Sequence, residues 1–278
     1  MPDQKVNKIR TVFAGTPSFA IPSAEAIALQ NDFDLVGVYT QPDKPAGRGK
    51  KIMGSAVKRA LSAFDVPIFQ PNSLSNDGEL KTFRTLKPEL FVVAAYGLII
   101  PGDFLEIPRY CINVHASLLP RWRGAAPIQR AIMSGDLQTG ISIMRIVEKL
   151  DAGPILNIKV RKIEPTDTTA TLTEKLAQDG ADALRECLLN IAQGTVFEKA
   201  QTDENALYAQ KISKTESLVT WSASAEVISL KIRALSPRPG ATAYLGKILV
   251  KIISAKISED ISKRPPGTLN PTRKDTLT

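Results

Sequence analysis

The chain has 278 residues, 43% hydrophobic and 23% charged, with a formal net charge of +8 and a pI of about 9.4. That length suits one or two domains, with two expected near this size, and the composition is that of an ordinary soluble globular protein. Three classes are excluded: residues 1–10 are polar with no apolar signal core, the longest apolar run, residues 90–100, is too short to span a bilayer, and two cysteines beside a single histidine offer no zinc or iron–sulfur spacing. A cytoplasmic location and packed, reduced thiols are the expectations. The charge is uneven: residues 213–278 carry eleven Lys/Arg and five Asp/Glu, +6 of the +8. A basic tail half favours a polyanionic partner, nucleic acid before membrane, although solubility alone also accounts for many basic proteins.

In chain order, residues 8–13 read as a short buried strand, Gly15-Thr16-Pro17 as a turn, and residues 18–30 as an Ala-rich helix capped by Ser18. The turn carries one glycine and is not a G-x-G-x-x-G phosphate loop, so it reads as structural. A strand over 34–40, a helix over 56–64, a strand over 66–69, a helix over 76–86 and strands over 90–95 and 110–114 complete an alternation that indicates a parallel, doubly wound sheet. A hairpin follows, around Ile141 and Ile143 and then residues 155–160, and helical spacing predicts a long helix over 168–191 ended by Gly194. Residues 194–209 are polar and mixed and read as a linker. Beyond Leu218 the chain breaks into short β-rich pieces, residues 241–244 and 248–253, which suggests a small β domain.

The single histidine stands in Cys111-Ile112-Asn113-Val114-His115-Ala116-Ser117-Leu118-Leu119-Pro120-Arg121-Trp122-Arg123-Gly124. Asn113 and His115 alternate where an apolar run ends, so an extended backbone sends both side chains to one face. An amide beside an imidazole at the carboxyl end of a strand can polarise a carbonyl and share its developing negative charge, and sites on open parallel sheets gather at that edge. The plainer alternative is a satisfied core histidine beside an asparagine cap; the Arg/Trp/Gly-rich loop that follows favours the site. Asp151, in the turn Leu150-Asp151-Ala152-Gly153-Pro154, can hydrogen-bond an imidazolium, accept a proton through water, or merely cap its own backbone, and spacing does not choose. Residues 41–51, with Lys44, Arg48, Lys50 and Lys51 and two glycines, form a mobile positive loop, long for a strand–helix connection. Phosphate or RNA contact is its sharper reading and a solvated loop the plainer one. Residues 121–129 can hold a planar or anionic ligand; alternatively Trp122 packs in the core and Pro127 opens a helix through Ser134.

On these residues the chain resembles the formyltransferases that use 10-formyltetrahydrofolate. Asn113-Val-His115-x-Ser117-Leu-Leu-Pro120 with the Leu150-Asp151-x-Gly153 turn is similar to the family's Asn, His and Asp triad, which falls on Asn113, His115 and Asp151. The resemblance implies a folate site lined by Ser117, Leu118, Leu119 and Pro120 and by the loop Tyr96, Gly97, Leu98 and Ile99. The segments 14–17, 41–50 and 120–129 are similar, within that superfamily, to the methionyl-tRNA formyltransferases, over residues 8 to about 269.

The resemblance implies an α/β fold: a Rossmann-like catalytic domain over 8–193, a linker over 194–212 and an OB-like, tRNA-binding β barrel over 213–278. Family members continue well past the Pro266-Gly267-Thr268 turn, so the barrel is expected to lack its last strands. Gly54 and Ala56 replace prolines flanking Ser55, which is expected to loosen that end of the basic loop. The implied reaction moves a formyl group from the co-substrate 10-formyltetrahydrofolate to the amino group of initiator methionyl-tRNA, with Lys44, Arg48, Lys50 and Lys51 on the tRNA, no metal, no membrane and a monomeric enzyme. Three alternatives stay open: an amino-sugar nucleotide formyltransferase, a formyltetrahydrofolate hydrolase and a non-catalytic RNA-binding relative.

Overall fold

The structure, a computed structural model, describes residues 8–46, 49, 51–259 and 264–269. Strand β1 (Ile9–Gly15) leads through a 3-10 turn, Ser18–Ala20, into helix α1 (Ile21–Ala28) and strand β2 (Phe33–Tyr39). An exposed ribbon of β3 (Lys44–Ala46) and β4 (Lys51–Met53) follows, then α2 (Ala56–Leu61), β5 (Ile68–Phe69), α3 (Asp77–Thr85), β6 (Leu90–Ala94), the single turn α4 (Gly102–Leu105) and β7 (Tyr110–His115). The second half holds β8 (Arg123–Gly124), α5 (Pro127–Met133), β9 (Gln138–Arg145), β10 (Ile155–Lys162), α6 (Thr169–Gln193), β11 (Tyr208–Ala209), α7 (Ala225–Leu235), β12 (Ala241–Leu245) and β13 (Ile248–Ile252).

Seven strands make one sheet in the order β10-β9-β7-β6-β1-β2-β5. The five strands from β7 to β5 are parallel; β9 runs antiparallel to β7, and β10 to β9. Alternation along the parallel strands feeds two cores. Phe13, Val92, Ile112 and Val114 face Leu172, Leu176, Leu184 and Leu188 of α6, while Val12, Phe91 and Cys111 face Phe83 and Phe104. Fully burying each such side chain contributes about 1.5–3 kcal/mol. Helix α6 is delimited as its sequence requires: Thr168 and Thr171 form a reciprocal capping box, and Gly194 closes the helix in the left-handed region at φ 70°.

Three expectations are corrected. Ser18 does not cap α1: Pro17 precedes the 3-10 turn without a side-chain cap, and α1 begins after it. Residues 41–51 do not form a wholly irregular loop, because β3 and β4 pair antiparallel, Lys44 opposite Met53 and Ala46 opposite Lys51. The stretch 194–209 is not a free linker either: Lys199 bridges Ile155, and β11 pairs with β8. The C-terminal portion has the β pieces expected over 241–244 and 248–253, as β12 and β13, and also holds a helix. Its β-branched residues Val227, Ile228 and Ile232 sit in α7, capped by Ser224 and packed against α5; tertiary contact outweighs their strand preference. The β part described there is the β12–β13 hairpin, with a bridge from Leu218 to Thr242.

Candidate active site

Four parallel strands bring their carboxyl ends to one edge. From β1 comes Thr16, from β2 Gln41, from β6 the Tyr96–Gly97 turn, and from β7 Asn113 and His115. Asn113 lies in register between Val93 and Met144, and His115 opposite Ser142. His115 is 6% exposed. Asn113 is half-buried, and its side chain makes no hydrogen bond among the described residues. His115 belongs to β7 itself and does not follow it.

Both ring nitrogens of His115 are spoken for differently. Nε2 lies 2.8 Å from the Trp122 carbonyl, which only accepts, so Nε2 carries a proton. Nδ1 faces Asp151 Oδ2 at 3.7 Å, beyond a direct hydrogen bond. The same carboxylate oxygen accepts the Gly124 amide at 2.8 Å. Trp122 and Asp151 have φ of 64° and 48°, left-handed conformations that disfavour residues with a Cβ and gather at functional sites. Gly153 has no room for a side chain: a Cβ there would run into the Arg145 carbonyl. The tight turn holding Asp151 is thus required by backbone approach.

The loop after His115 is pinned by a residue not foreseen from sequence. Ser142 Oγ donates to the Ser117 carbonyl at 2.8 Å and accepts the Leu119 amide at 3.1 Å; a lone serine in the apolar run Gly140-Ile141-Ser142-Ile143 was its only signal. Ser117 is wholly buried and its hydroxyl donates to the Arg121 carbonyl at 2.6 Å. Leu119 and Tyr96 are also buried, Leu118 and Pro120 half-buried, and Ile99 is 86% exposed. Of the eight residues assigned to folate, Tyr96, Ser117 and Leu119 therefore turn their side chains into the protein and offer backbone. Gly97, at φ 80°, takes a turn that a Cβ would obstruct against Gln41. Burial raises the Tyr96 phenol above its ordinary range, as it does that of Tyr39, and neither hydroxyl has a partner among the described residues.

Trp122 packs in the core, donates Nε1–H to Asp136 at 2.7 Å and lies under the Arg121 guanidinium. That segment follows the structural option read from sequence, including a helix beginning at Pro127. A cleft of about 240 Å³ opens beside it, lined by Leu118, Arg121, Trp122, Asp136, Leu137, Gln138 and Thr139, apart from the Asn113–His115–Asp151 cluster.

The basic loop shares the edge. Lys44 and Lys51 are exposed on the ribbon; Arg48 and Lys50 lie outside the described residues. The base of the ribbon is fixed by Asp43, which accepts from Gln70 at 2.6 Å and Lys58 at 2.8 Å; these two partners hold its carboxyl below the ordinary range. Ser55 caps α2 and receives the Thr40 hydroxyl at 2.6 Å. Gln41 links the ribbon to the Tyr96 turn: it accepts from Lys44 at 2.7 Å and donates to the Tyr96 carbonyl at 3.1 Å, which also accepts from Thr16. Among the described residues, no group of three or more His, Cys, Asp or Glu is placed to hold a metal ion, and no helix is long and apolar enough to cross a membrane.

The sheet that carries His115 and the facing Asp151 carboxylate is that of a formyl transferase. The formyl transferase family model matches residues 7–188, and the model of the family's C-terminal domain matches 211–278. The chain is 45% identical over 262 residues to the methionyl-tRNA formyltransferase of Methylococcus capsulatus, covering 94% of this chain and 85% of that protein. It is 46% identical over 258 residues to that of Pseudoalteromonas translucida, covering 92% and 80%. A solved structure of HypX from Aquifex aeolicus in complex with tetrahydrofolic acid shares the fold at TM-score 0.68 and 16% identity, over 96% of this chain and 41% of that one. The chain belongs to the methionyl-tRNA formyltransferase family.

Proposed function

We propose that this protein transfers the formyl group of 10-formyltetrahydrofolate to the α-amino group of methionine on initiator methionyl-tRNA, for translation initiation. The identity to methionyl-tRNA formyltransferases over more than nine-tenths of the chain carries this reading. The clustering of Asn113, His115 and Asp151 supplies its chemistry.

In this reading the amine attacks the formyl carbon, a C–N bond forms, and the carbonyl oxygen becomes an oxyanion. The Asn113 amide, without a hydrogen bond among the described residues, donates to it. In its doubly protonated form His115 donates through Nδ1, because Nε2 already donates to the Trp122 carbonyl. Preorganised donors of this kind stabilise charge only as it develops. Nδ1 stands 3.7 Å from the Asp151 carboxylate, too close for a water between them. Asp151 orients the imidazole or takes the amine proton through a water. Collapse of the intermediate breaks the bond to the folate nitrogen, which leaves with a proton as tetrahydrofolate.

The folate is assigned to the 96–99 turn and the 117–120 loop, reached largely through backbone. The tRNA is assigned to Lys44, Arg48, Lys50 and Lys51 and to the basic C-terminal domain over 213–278, joined through 194–212 to the catalytic domain over 8–193. The enzyme works as a cytoplasmic monomer. The test compares formylation of charged initiator and elongator methionyl-tRNA with that of an amino-sugar nucleotide. Preference for the initiator is expected. Formylation of the sugar, or formate release without any acceptor, would overturn the assignment.

A further inference from the structure

Trp122 and Gly124, which hold His115 and Asp151, flank a single residue, Arg123. Arg123 is a wholly buried, charged side chain. A guanidinium without water is costly unless its donors are paired, and the partners of this one come from a short stretch between the two matched family regions. Nε and an η-nitrogen donate to Gln201 Oε1 at 3.2 and 2.9 Å, and the other η-nitrogen donates to Asp203 at 2.8 Å. The Thr202 carbonyl accepts a longer bond at 3.4 Å.

The same stretch grips the turn that carries Asp151 from both sides. Before it, Lys149 donates to Asp203 at 2.6 Å. After it, the Gln201 amide donates to the Asp151 carbonyl at 3.0 Å and the Gly153 carbonyl at 2.7 Å. Gln201 thus accepts from Arg123 and donates to the Asp151 turn, joining the two loops whose backbones hold the imidazole and the carboxylate. The β8–β11 ladder continues the attachment: the Arg123 amide donates to Leu207 and the Ala125 amide to Ala209.

We propose that Gln201 and Arg123 are positioning residues for the formyl transfer, and that the segment joining the two domains is a working part of the catalytic site. Neither touches the reacting atoms. Each fixes a backbone group on which His115 or Asp151 rests, and Trp122 and Asp151 need such support because both occupy left-handed conformations. The proposal rests on the triad reading above.

Arg123 variants leave buried partners unpaired and risk unfolding, so the test uses Gln201. Gln201→Glu keeps an acceptor for Arg123 and removes both donors to the Asp151 turn; Gln201→Met removes both functions at similar volume. For Gln201→Glu, turnover should fall on the order of 10²-fold, the scale of a displaced catalytic group, with KM for methionyl-tRNA and folate affinity within about twofold of wild type. Being the only histidine in the chain, His115 has an unambiguous ring NMR signal, and its chemical shift should move in the same direction as in Asp151→Asn. Turnover within twofold of wild type, a fall seen mainly as a raised KM, or an unmoved His115 signal would overturn the proposal. Failure of both variants to fold cooperatively would also overturn it, by making the segment a general staple. Asp151→Asn run in parallel separates the two ideas: if it keeps full turnover, the triad reading itself fails.

Discussion

Burial decides which atoms of His115 are left for chemistry. Nε2 is committed to the Trp122 carbonyl, and Nδ1 faces Asp151. His115→Ala should lower turnover on the order of 10² to 10³-fold, the usual result of removing one oxyanion donor, with tRNA affinity nearly unchanged. Asn113→Ala should do the same. Single-turnover kinetics with a filter-binding measurement of tRNA checks both, and near-normal turnover in His115→Ala would remove the imidazole from the mechanism. The alternation of Asn113 and His115 was legible because period-two geometry is local. Their supports were not. Ser142 lies 23 positions from the Leu119 amide it accepts, and Gln201 lies 78 from Arg123 and 50 from Asp151, so no sequence pattern announces them.

At the scale of elements, the long helix α6 and the basic ribbon make contrasting cases. Leu184 is wholly buried where α6 covers the sheet. Leu184→Ala should destabilise the fold by about 2–5 kcal/mol, the range for a buried leucine that leaves a cavity. Urea unfolding monitored by circular dichroism measures it, and a cost under about 1 kcal/mol would mean that α6 relaxes into the gap. The ribbon carries Lys44 and Lys51 in the open. In Lys44→Ala/Lys51→Ala, tRNA affinity should weaken, and the slope of log affinity against log salt should flatten by about one for each phosphate that is no longer neutralised. Folate affinity should stay constant. An unchanged slope would assign the phosphates to other cations. Helix α6 was readable from caps and periodicity; the ribbon was not, since three-residue strands carry too little pattern to distinguish from a loop.

Across the whole molecule, the catalytic and C-terminal parts are fastened by Arg130 of α5. Its guanidinium donates to the Gln210 carbonyl at 3.0 Å and to Glu216 at 2.6 Å. Hydrogen bonding from Arg130, then from the Ser213 amide, holds the Glu216 carboxyl down at about 2 against an ordinary 4.5. A carboxyl depressed in the folded state contributes stability that is present above about 4.5 and is lost as the pH falls toward 2. Glu216→Gln should therefore melt lower than wild type at neutral pH, and the difference should close between pH 4.5 and 2; a gap constant across that window would deny the pair any share in stability. By itself the sequence determined the α/β alternation, the sheet edge where the site gathers, the pairing of Asn113 with His115 and the family, because strand period, helix caps and contiguous motifs are local properties of the chain. Only the tertiary structure decided that Tyr96 and Ser117 turn inward, that the supposed linker builds a ladder on β8, that α7 is a helix, and that Asp151 faces His115 rather than capping its own turn. Each of these depends on burial and on pairing between residues far apart in the chain, where the cost of an unpaired buried group, not the local pattern, selects the arrangement.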